Sequence, residues 1–186
     1  MRDAPNVRTA ARIRIAPATG SRDVSLARRL LKEYAASLSI DLCFQGFDAE
    51  LAGLPGDYAP PDGRLWIARV GGRPAGCVAL RRFDRGRCEM KRLYLRPAYR
   101  GRGLGRRLVA TTLATGRRLG YRRMVLDTLP SMMAALAVYD RFGFRRIRPY
   151  RFNPVPGAVY LERSLRPTRT DRGVRAGGRR RRRSPR

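Results

Sequence analysis

A glycine-rich segment between a predicted strand and a predicted helix limits most strongly the folds that this chain can adopt. Arg100-Gly101-Arg102-Gly103-Leu104-Gly105 follows Pro97, which ends the strand, and leads into a helix. Without bulky side chains, a backbone can come close to an anion, and the free N–H groups and dipole of the helix's first turn can hold it. Positive charge is added by Arg100, Arg102 and Arg106. We therefore predict a pyrophosphate site here.

The same segment departs from two common phosphate-binding templates. A dinucleotide-binding fingerprint requires glycine at the position of Arg106, and a P-loop requires Gly-Lys-Ser/Thr where this chain has Gly105-Arg106-Arg107. Taken alone, the segment could also be a glycine-rich turn that only connects two elements. Its meaning depends on the elements around it.

Periodicity and turn residues predict eleven elements in the order β-α-α-β-β-β-α-β-α-β-β. The predicted strands cover 12–16, 64–70, 73–83, 87–95, 124–128, 144–147 and 158–164. The predicted helices cover about 24–37, with Ser21 or Asp23 as cap, a short stretch after Asp48, the segment from the glycines to about Leu119, and 132–141. Antiparallel hairpins followed by β-α-β crossovers predict an α/β (α+β) fold, a mixed and mostly antiparallel twisted sheet flanked by helices.

Composition excludes several kinds of site. The chain has no histidine, which excludes Ser-His and Cys-His catalytic pairs and histidine zinc sites, and its three cysteines lack C-x-x-C spacing. We expect no metal. Residues 1–12 lack the apolar core of a signal peptide, and the longest uncharged apolar stretch is too short to cross a bilayer. We therefore expect a cytoplasmic protein without a membrane span.

Charge is uneven along the chain. The formal net charge is +28, and Lys32 and Lys91 are the only lysines among 42 basic residues. Residues 166–186 contain ten Arg and one Asp, a local net charge of +9, with Val174 as the one apolar residue larger than Ala. Such a segment cannot bury enough surface to fold, so we expect a folded domain over 1–165 and a disordered Arg-rich tail over 166–186.

Two segments together resemble the GNAT N-acetyltransferase superfamily. The first is Leu93-x-Leu95-x-Pro97-x-x-Arg100-Gly101-x-Gly103-Leu104-Gly105, which is similar to the family's coenzyme A signature. The second is the stretch 135–144, Ala-Leu-Ala-Val-Tyr-Asp-Arg-Phe-Gly-Phe, which is similar to the family's later helix. The resemblance covers roughly residues 12–165. It implies a GNAT fold with a sheet splayed open at the acetyl-CoA site.

The resemblance also implies roles for individual residues. Backbone groups of Leu93, Tyr94 and Leu95 would pair with the pantetheine arm, and an N–H near Leu95 would polarise the thioester carbonyl. Pyrophosphate contacts are implied for Arg100, Gly101, Arg102, Gly103, Leu104, Gly105 and Arg106. Tyr139 is the implied acid that protonates the departing thiolate. Its alternative is a core aromatic on an amphipathic helix.

The base must be a carboxylate or solvent, because the chain has no histidine. Glu89 is the leading candidate, since some histone-acetylating members of the superfamily carry their base glutamate at this position. Strand alternation predicts that Glu89, Lys91, Leu93 and Leu95 share one face. The alternative for Glu89 is an ion pair with Lys91 or a neighbouring Arg. Glu50, Tyr58 and Asp127 are weaker candidates for substrate contacts.

The predicted function is therefore acetyl transfer from acetyl-CoA directly to a primary amine of a small molecule or peptide. We expect the early helices, the 55–61 loop and the 150–154 loop to shape the acceptor site. The competing hypothesis is a basic nucleic-acid-binding protein on a catalytically degenerate GNAT scaffold, supported by the net charge. Under either hypothesis, the Arg-rich tail could contact nucleic acid or anionic surfaces non-specifically. The sequence does not distinguish between a monomer and a homodimer.

Overall fold

The computed structural model describes residues 11–38, 40, 42–43 and 46–166, so the predicted tail over 166–186 lies outside the described residues except for Arg166. Seven strands and four helices follow one another as β1 (Ile13–Pro17), α1 (Gly20–Ala36), α2 (Phe47–Ala52), β2 (Arg64–Val70), β3 (Arg73–Arg82), β4 (Arg87–Leu95), α3 (Leu104–Arg118), β5 (Arg123–Thr128), α4 (Met133–Arg141), β6 (Arg145–Arg146) and β7 (Val159–Ser164). Short 3-10 turns cover Gly56–Tyr58 and Pro97–Tyr99. The predicted order of elements is confirmed.

The first helix begins earlier than its sequence pattern predicts. It starts at Gly20 with Thr19 as the N-cap, rather than near Val24 with Ser21 or Asp23 as cap. Asp23 lies inside the first turn, and its carboxylate accepts a hydrogen bond from the Thr19 backbone N–H at 3.3 Å. An acidic residue in the first turn favours the positive end of the helix dipole. Asp23 thus stabilises the helix from within.

All seven strands form one mixed sheet in the order β1-β2-β3-β4-β5-β7-β6. Among the strand pairs that the structure describes, only β4–β5 is parallel. This pairing is short and joins Arg87, Cys88 and Glu89 to Arg123, Met124 and Val125. β4 continues for six residues beyond Glu89, to Leu95. The two strands therefore separate in the middle of the sheet, which is the splay that the resemblance implies.

A β-bulge interrupts β4 just beyond the point where the strands separate. Cys77 of β3 faces Tyr94, but Ala79 faces Lys91, so β4 carries an extra residue in between. Arg92 accommodates it with a φ of 58°, the only positive φ at a non-glycine residue in the described part of the chain. Such a bulge reverses the side-chain alternation that follows it.

The bulge makes the predicted face of β4 wrong. Leu93 packs against the same core cluster as Cys88 and Met90, and so does Leu95. Glu89 and Lys91 alternate with Cys88 and Met90 and belong to the opposite face. Sequence alternation placed all four on one face because it assumed an unbroken strand.

Helices cover both faces of the sheet, with one apolar core on each. The first core packs α3 against the sheet through Leu104, Leu108 and Val109. The second core packs α1 and α2 through residues such as Leu30 and Leu51. The gap between β4 and β5 lies within the sheet, and one of these two cores lies on each side of it.

Candidate active site

The gap between the separating strands contains a small cavity of about 40 Å³. Lys91, Arg92 and Leu93 line it from β4, Asp127 and Thr128 from β5, and Tyr34 and Tyr139 from the flanking helices. The cavity therefore combines charged groups of β4 and β5 with two tyrosines of the helices. It lies where β4 has lost its β5 partner.

The glycine segment forms the N-terminus of α3 and lies against the far end of β4. Gly101 and Gly103 both adopt a φ of 74°, a conformation that other residues rarely take, and Gly103 is the helix N-cap. No side chain within the described ranges caps this helix end. A Cβ atom on Gly105 would lie 3.6 Å from the Leu95 side chain, so the segment and the strand are in contact.

The first turn of α3 is suited to an anion. The first hydrogen bond of the helix joins the Arg107 N–H to the Gly103 carbonyl at 3.2 Å. The backbone N–H groups before Arg107 therefore have no acceptor within the helix. Arg102 and Arg106 are exposed beside them. The Arg100 guanidinium instead donates to the Leu95 carbonyl at 3.0 Å, which ties the segment to the end of β4.

Tyr139 projects from α4 into the cavity between the strands. It is 5% exposed, and its ring lies 5.7 Å from that of Phe144 in an edge-on arrangement. Burial, with smaller effects from Tyr34 and Asp127, raises the pKa of the Tyr139 hydroxyl above its ordinary value of 10. Tyr139 therefore keeps its proton at neutral pH, as an acid must before it donates.

Glu89 is fully buried at the last position of β4 that pairs with β5. Its carboxylate accepts hydrogen bonds from Arg81 Nε at 2.8 Å, from the Tyr150 hydroxyl at 2.8 Å and from Arg151 Nη1 at 3.1 Å. Burial would raise the pKa of Glu89, but the charges of Lys91, Arg81 and Arg151 outweigh it, and the pKa falls below its ordinary value of 4.5. The ion pairs that the sequence left open as an alternative are thus present.

Lys91 joins Glu89 to the end of β5. Its Nζ lies 4.0 Å from Glu89 Oε1 and 3.4 Å from Asp127 Oδ1, and it is 6% exposed. Asp127 Oδ2 also accepts a hydrogen bond from the Asn153 side chain at 2.9 Å. Burial lowers the pKa of Lys91 from 10.5 to about 8, against the opposing effect of the two carboxylates.

Arg92, the residue at the bulge, is held in place by contacts with α2. Its guanidinium donates to both oxygens of Glu50, at 2.9 and 2.6 Å, and lies 4.9 Å from the centre of the Phe47 ring. The Tyr58 hydroxyl donates to Glu50 as well, at 2.8 Å. Burial would raise the pKa of Glu50, but the bonds and charge of Arg92 hold it below its ordinary value. Glu50 and Tyr58 therefore anchor the bulge.

A larger cavity of about 300 Å³ lies under α2 and the loop that follows it, and its lining includes Arg81, a partner of Glu89. Glu50, Asp57, Tyr58 and Arg81 supply its polar groups. Arg81 connects the cavity to Glu89, and the 150–154 loop closes over Glu89 through Tyr150 and Arg151.

The structure places the predicted residues in three adjoining regions. Tyr139 and Leu93 line the gap between β4 and β5. The glycine segment follows β4 in the chain. Glu89 is connected to the gap through Lys91, whose Nζ lies 4.0 Å from the Glu89 carboxylate. Sequence reasoning names no role for Arg81 or Arg92, and it predicts that the 150–154 loop shapes the acceptor site without identifying Tyr150 and Arg151 as partners of Glu89. One signal could have drawn attention to Lys91: it is one of two lysines in a chain that otherwise uses Arg.

Comparison with known proteins gives one consistent result. Residues 26–144 match the family described as the Acetyltransferase (GNAT) family. An uncharacterized N-acetyltransferase of Schizosaccharomyces pombe is 44% identical over 136 residues, which cover 72% of this chain and 83% of that protein.

Solved structures share the fold. A GNAT-family acetyltransferase from Staphylococcus aureus has a TM-score of 0.69 at 20% identity and covers 83% of this chain and 100% of its own. An acetyltransferase from Salmonella typhimurium, solved with its cofactor acetyl-CoA, has a TM-score of 0.61 at 20% identity, and the match covers 87% of this chain and 97% of that chain.

Among the helices that the structure describes, none is long and apolar enough to span a membrane.

Proposed function

Because this chain belongs to the GNAT acetyltransferase family and is an N-acetyltransferase, we propose that it binds acetyl-CoA between β4 and β5 and transfers the acetyl group directly to a primary amine. One observation carries the proposal: the β4–β5 ladder ends at Glu89, and the free edge of β4 runs on to the uncapped N-terminus of α3. A thioester arm and its pyrophosphate need these two features in this order.

The coenzyme would bind through backbone groups. Residues Leu93 to Leu95 offer a strand edge to the pantetheine arm, as an added strand would use it. The N–H groups from Gly101 to Arg106 hold the pyrophosphate, with Arg102 and Arg106 beside it. Leu93 follows the bulge at Arg92 and lines the gap, and a backbone N–H of residues 93–95 would stabilise the negative charge that forms on the thioester oxygen.

Tyr139 is the proposed acid. As the amine nitrogen bonds to the acetyl carbon, the carbon–sulfur bond breaks and the sulfur leaves with the bonding electrons. A proton on that sulfur lowers the barrier, and Tyr139 is buried in the gap and protonated at neutral pH. Glu89 is the proposed carboxylate on the acceptor side, where it promotes loss of the amine's proton.

The acceptor is proposed to enter through the cavity of about 300 Å³. That volume suits a small molecule or the end of a peptide. Arg81 connects this cavity to Glu89, so an amine bound there would approach the gap from the Glu89 side.

Calorimetric titration with acetyl-CoA tests the first step. We expect binding in the micromolar range at 150 mM salt, because backbone N–H groups rather than net charge hold the pyrophosphate. ATP and inorganic pyrophosphate are the controls, since a chain of net charge +28 attracts many anions. Binding of acetyl-CoA no tighter than that of ATP, with the same steep loss in salt, would contradict the proposal.

A screen of primary amines then identifies the acceptor. Release of free coenzyme A thiol, measured with and without each amine, reports acetyl transfer. An amine that raises thiol release and is recovered in acetylated form supports the proposal, whereas thiol release without any acetylated amine argues for simple hydrolysis.

A further inference from the structure

Glu89 by itself is poorly suited to remove a proton from the acceptor amine. An alkyl amine arrives as an ammonium ion and must lose a proton before it can attack. Glu89 is fully buried, its oxygens are occupied by Arg81, Tyr150 and Arg151, and its pKa is below the ordinary value. A carboxylate in that state is a weak base and has no free side from which to take a proton.

Resting on the proposed function, we propose that Lys91 takes the proton from the acceptor amine, and that Glu89 and Asp127 stabilise the ammonium that Lys91 then becomes. Lys91 is the catalytic base in this scheme. Glu89 and Asp127 are positioning residues that act through it.

The geometry supports Lys91 because it lines the same cavity as the other reacting groups. Lys91, Leu93 and Tyr139 all line the gap between β4 and β5. That cavity is large enough for a water molecule, so a proton can reach Nζ directly or through one water. The proposed base, oxyanion donor and acid therefore line one cavity.

The charges around Lys91 suit reversible protonation. Burial, with Arg92 on the bulge and Arg151 on the 150–154 loop (the late loop), opposes the charged form of Lys91, whereas Glu89 on β4 and Asp127 on β5 favour it. The hydroxyl-bearing rings of Tyr34 and Tyr139 face it from α1 and α4. With a pKa of about 8, Lys91 loses its proton more readily than an ordinary lysine.

Residue choice is a second, independent observation. Lys91 is one of two lysines among 42 basic residues. Arginine would serve equally well in a purely structural ion pair, but it cannot lose its proton in a protein. Lysine at this position is therefore what a proton acceptor requires, in a chain that otherwise uses arginine.

One N–H bond of the ammonium breaks and its proton moves to Lys91 Nζ. The freed lone pair forms the bond to the acetyl carbon, the carbon–sulfur bond breaks, and the thiolate takes the proton of Tyr139. The second amine proton returns to Tyr139 through water, and Lys91 releases its proton to solvent. The products are an amide, coenzyme A thiol and one proton.

An NMR titration tests the proton affinity of Lys91 without an acceptor. Protein labelled in the lysine side chains gives two signals, from Lys32 and Lys91, and the Lys91→Arg variant assigns them. We expect Lys91 to titrate near pH 8, below its ordinary value of 10.5. Titration of Lys91 at its ordinary value would overturn the proposal.

Kinetics with the amine from the screen test the catalytic role. Lys91→Arg and Lys91→Met should lower kcat/KM by about 100-fold or more and leave the Kd for acetyl-CoA within about twofold. The matched control is Lys32→Arg, which should leave both unchanged. Near-normal kcat/KM in Lys91→Arg would refute the proposal and leave the N-acetyltransferase function standing. Absence of acetyl-CoA binding in the unaltered protein would refute the proposed function instead.

Glu89→Gln separates the two possible bases by the direction of one shift. Glu89 lies 4.0 Å from Lys91 Nζ and raises its pKa, so its removal should move the Lys91 titration and the pH–rate profile to lower pH. If Glu89 itself were the base, its loss would leave solvent to take the proton and would move the profile to higher pH. A shift to higher pH would therefore overturn the role of Lys91.

Discussion

Loss of the Glu50 carboxylate should destabilise this protein more than loss of any surface carboxylate. The Arg92 side chain is 2% exposed and donates to both Glu50 oxygens, so Glu50→Ala would leave a buried guanidinium without its counter-charge. Breaking a buried pair in this way costs about 3–5 kcal/mol. The Tyr58 hydroxyl, which also donates to Glu50, would lose its acceptor at the same time.

Thermal and urea unfolding measure this effect. For a chain of this size, 1 kcal/mol corresponds to roughly 2–4 °C, so Glu50→Ala should lower the Tm by roughly 6–20 °C. Asp57→Ala is the matched control, because Asp57 is 75% exposed and its contact with Arg81 is 3.4 Å long. A surface pair of that kind contributes about 0–1 kcal/mol. Equal losses in the two variants would refute the reasoning that the bulge depends on a buried ion pair.

Three further predictions concern the coenzyme site and the domain boundary. Gly103→Glu should abolish acetyl-CoA binding in calorimetry, because φ is 74° there and a carboxylate would face the pyrophosphate; retained micromolar affinity would place the pyrophosphate elsewhere. Tyr139→Phe should keep acetyl-CoA affinity and lower kcat by about 100-fold, since only the acidic hydroxyl is lost, and an unchanged kcat would assign that proton to solvent. Truncation after Leu165 should preserve the Tm and acetyl-CoA affinity, whereas truncation after Arg163 should lower the Tm, because Leu165 is 2% exposed and its N–H donates to Arg122 at 2.8 Å. Equal melting temperatures for the two truncations would contradict this boundary.

Sequence patterns predicted the order of elements because each element is marked locally. The hairpin turn Gly71-Gly72 lies between two alternating runs, and strands β2 and β4 have the predicted bounds. Errors occur at helix ends, as at Gly20, where no side-chain cap marks the start. Local signals therefore predicted the fold but not every boundary.

The bulge could not be predicted, because its residue type conceals it. A positive φ is typical of glycine or asparagine, and the residue here is Arg92. Its conformation depends on Glu50 and Phe47, more than 40 positions earlier in the chain. The wrong face assigned to Leu93 and Leu95 follows directly from this hidden long-range contact.

The same limit applies to the surroundings of Glu89. The glycine segment and Tyr139 lie in local motifs, so sequence could nominate them. The partners of Glu89 are Arg81 on the neighbouring strand and Tyr150 and Arg151 on a loop 61 and 62 positions away. In a chain with 42 basic residues, no pattern distinguishes the two arginines that reach this carboxylate.

The charged middle of β4 explains why the sheet opens where it does. Glu89, Lys91 and Arg92 are buried within four positions of a central strand, and buried charges are tolerated only when they are paired. Each finds its partners on a different element: the late loop and β3 for Glu89, the end of β5 for Lys91, and α2 for Arg92. An apolar β4 could continue its ladder with β5, whereas these side chains require room and polar neighbours. The charges that would weaken an ordinary core strand thus tie α2, β5 and the late loop around the gap where we propose that acetyl transfer occurs.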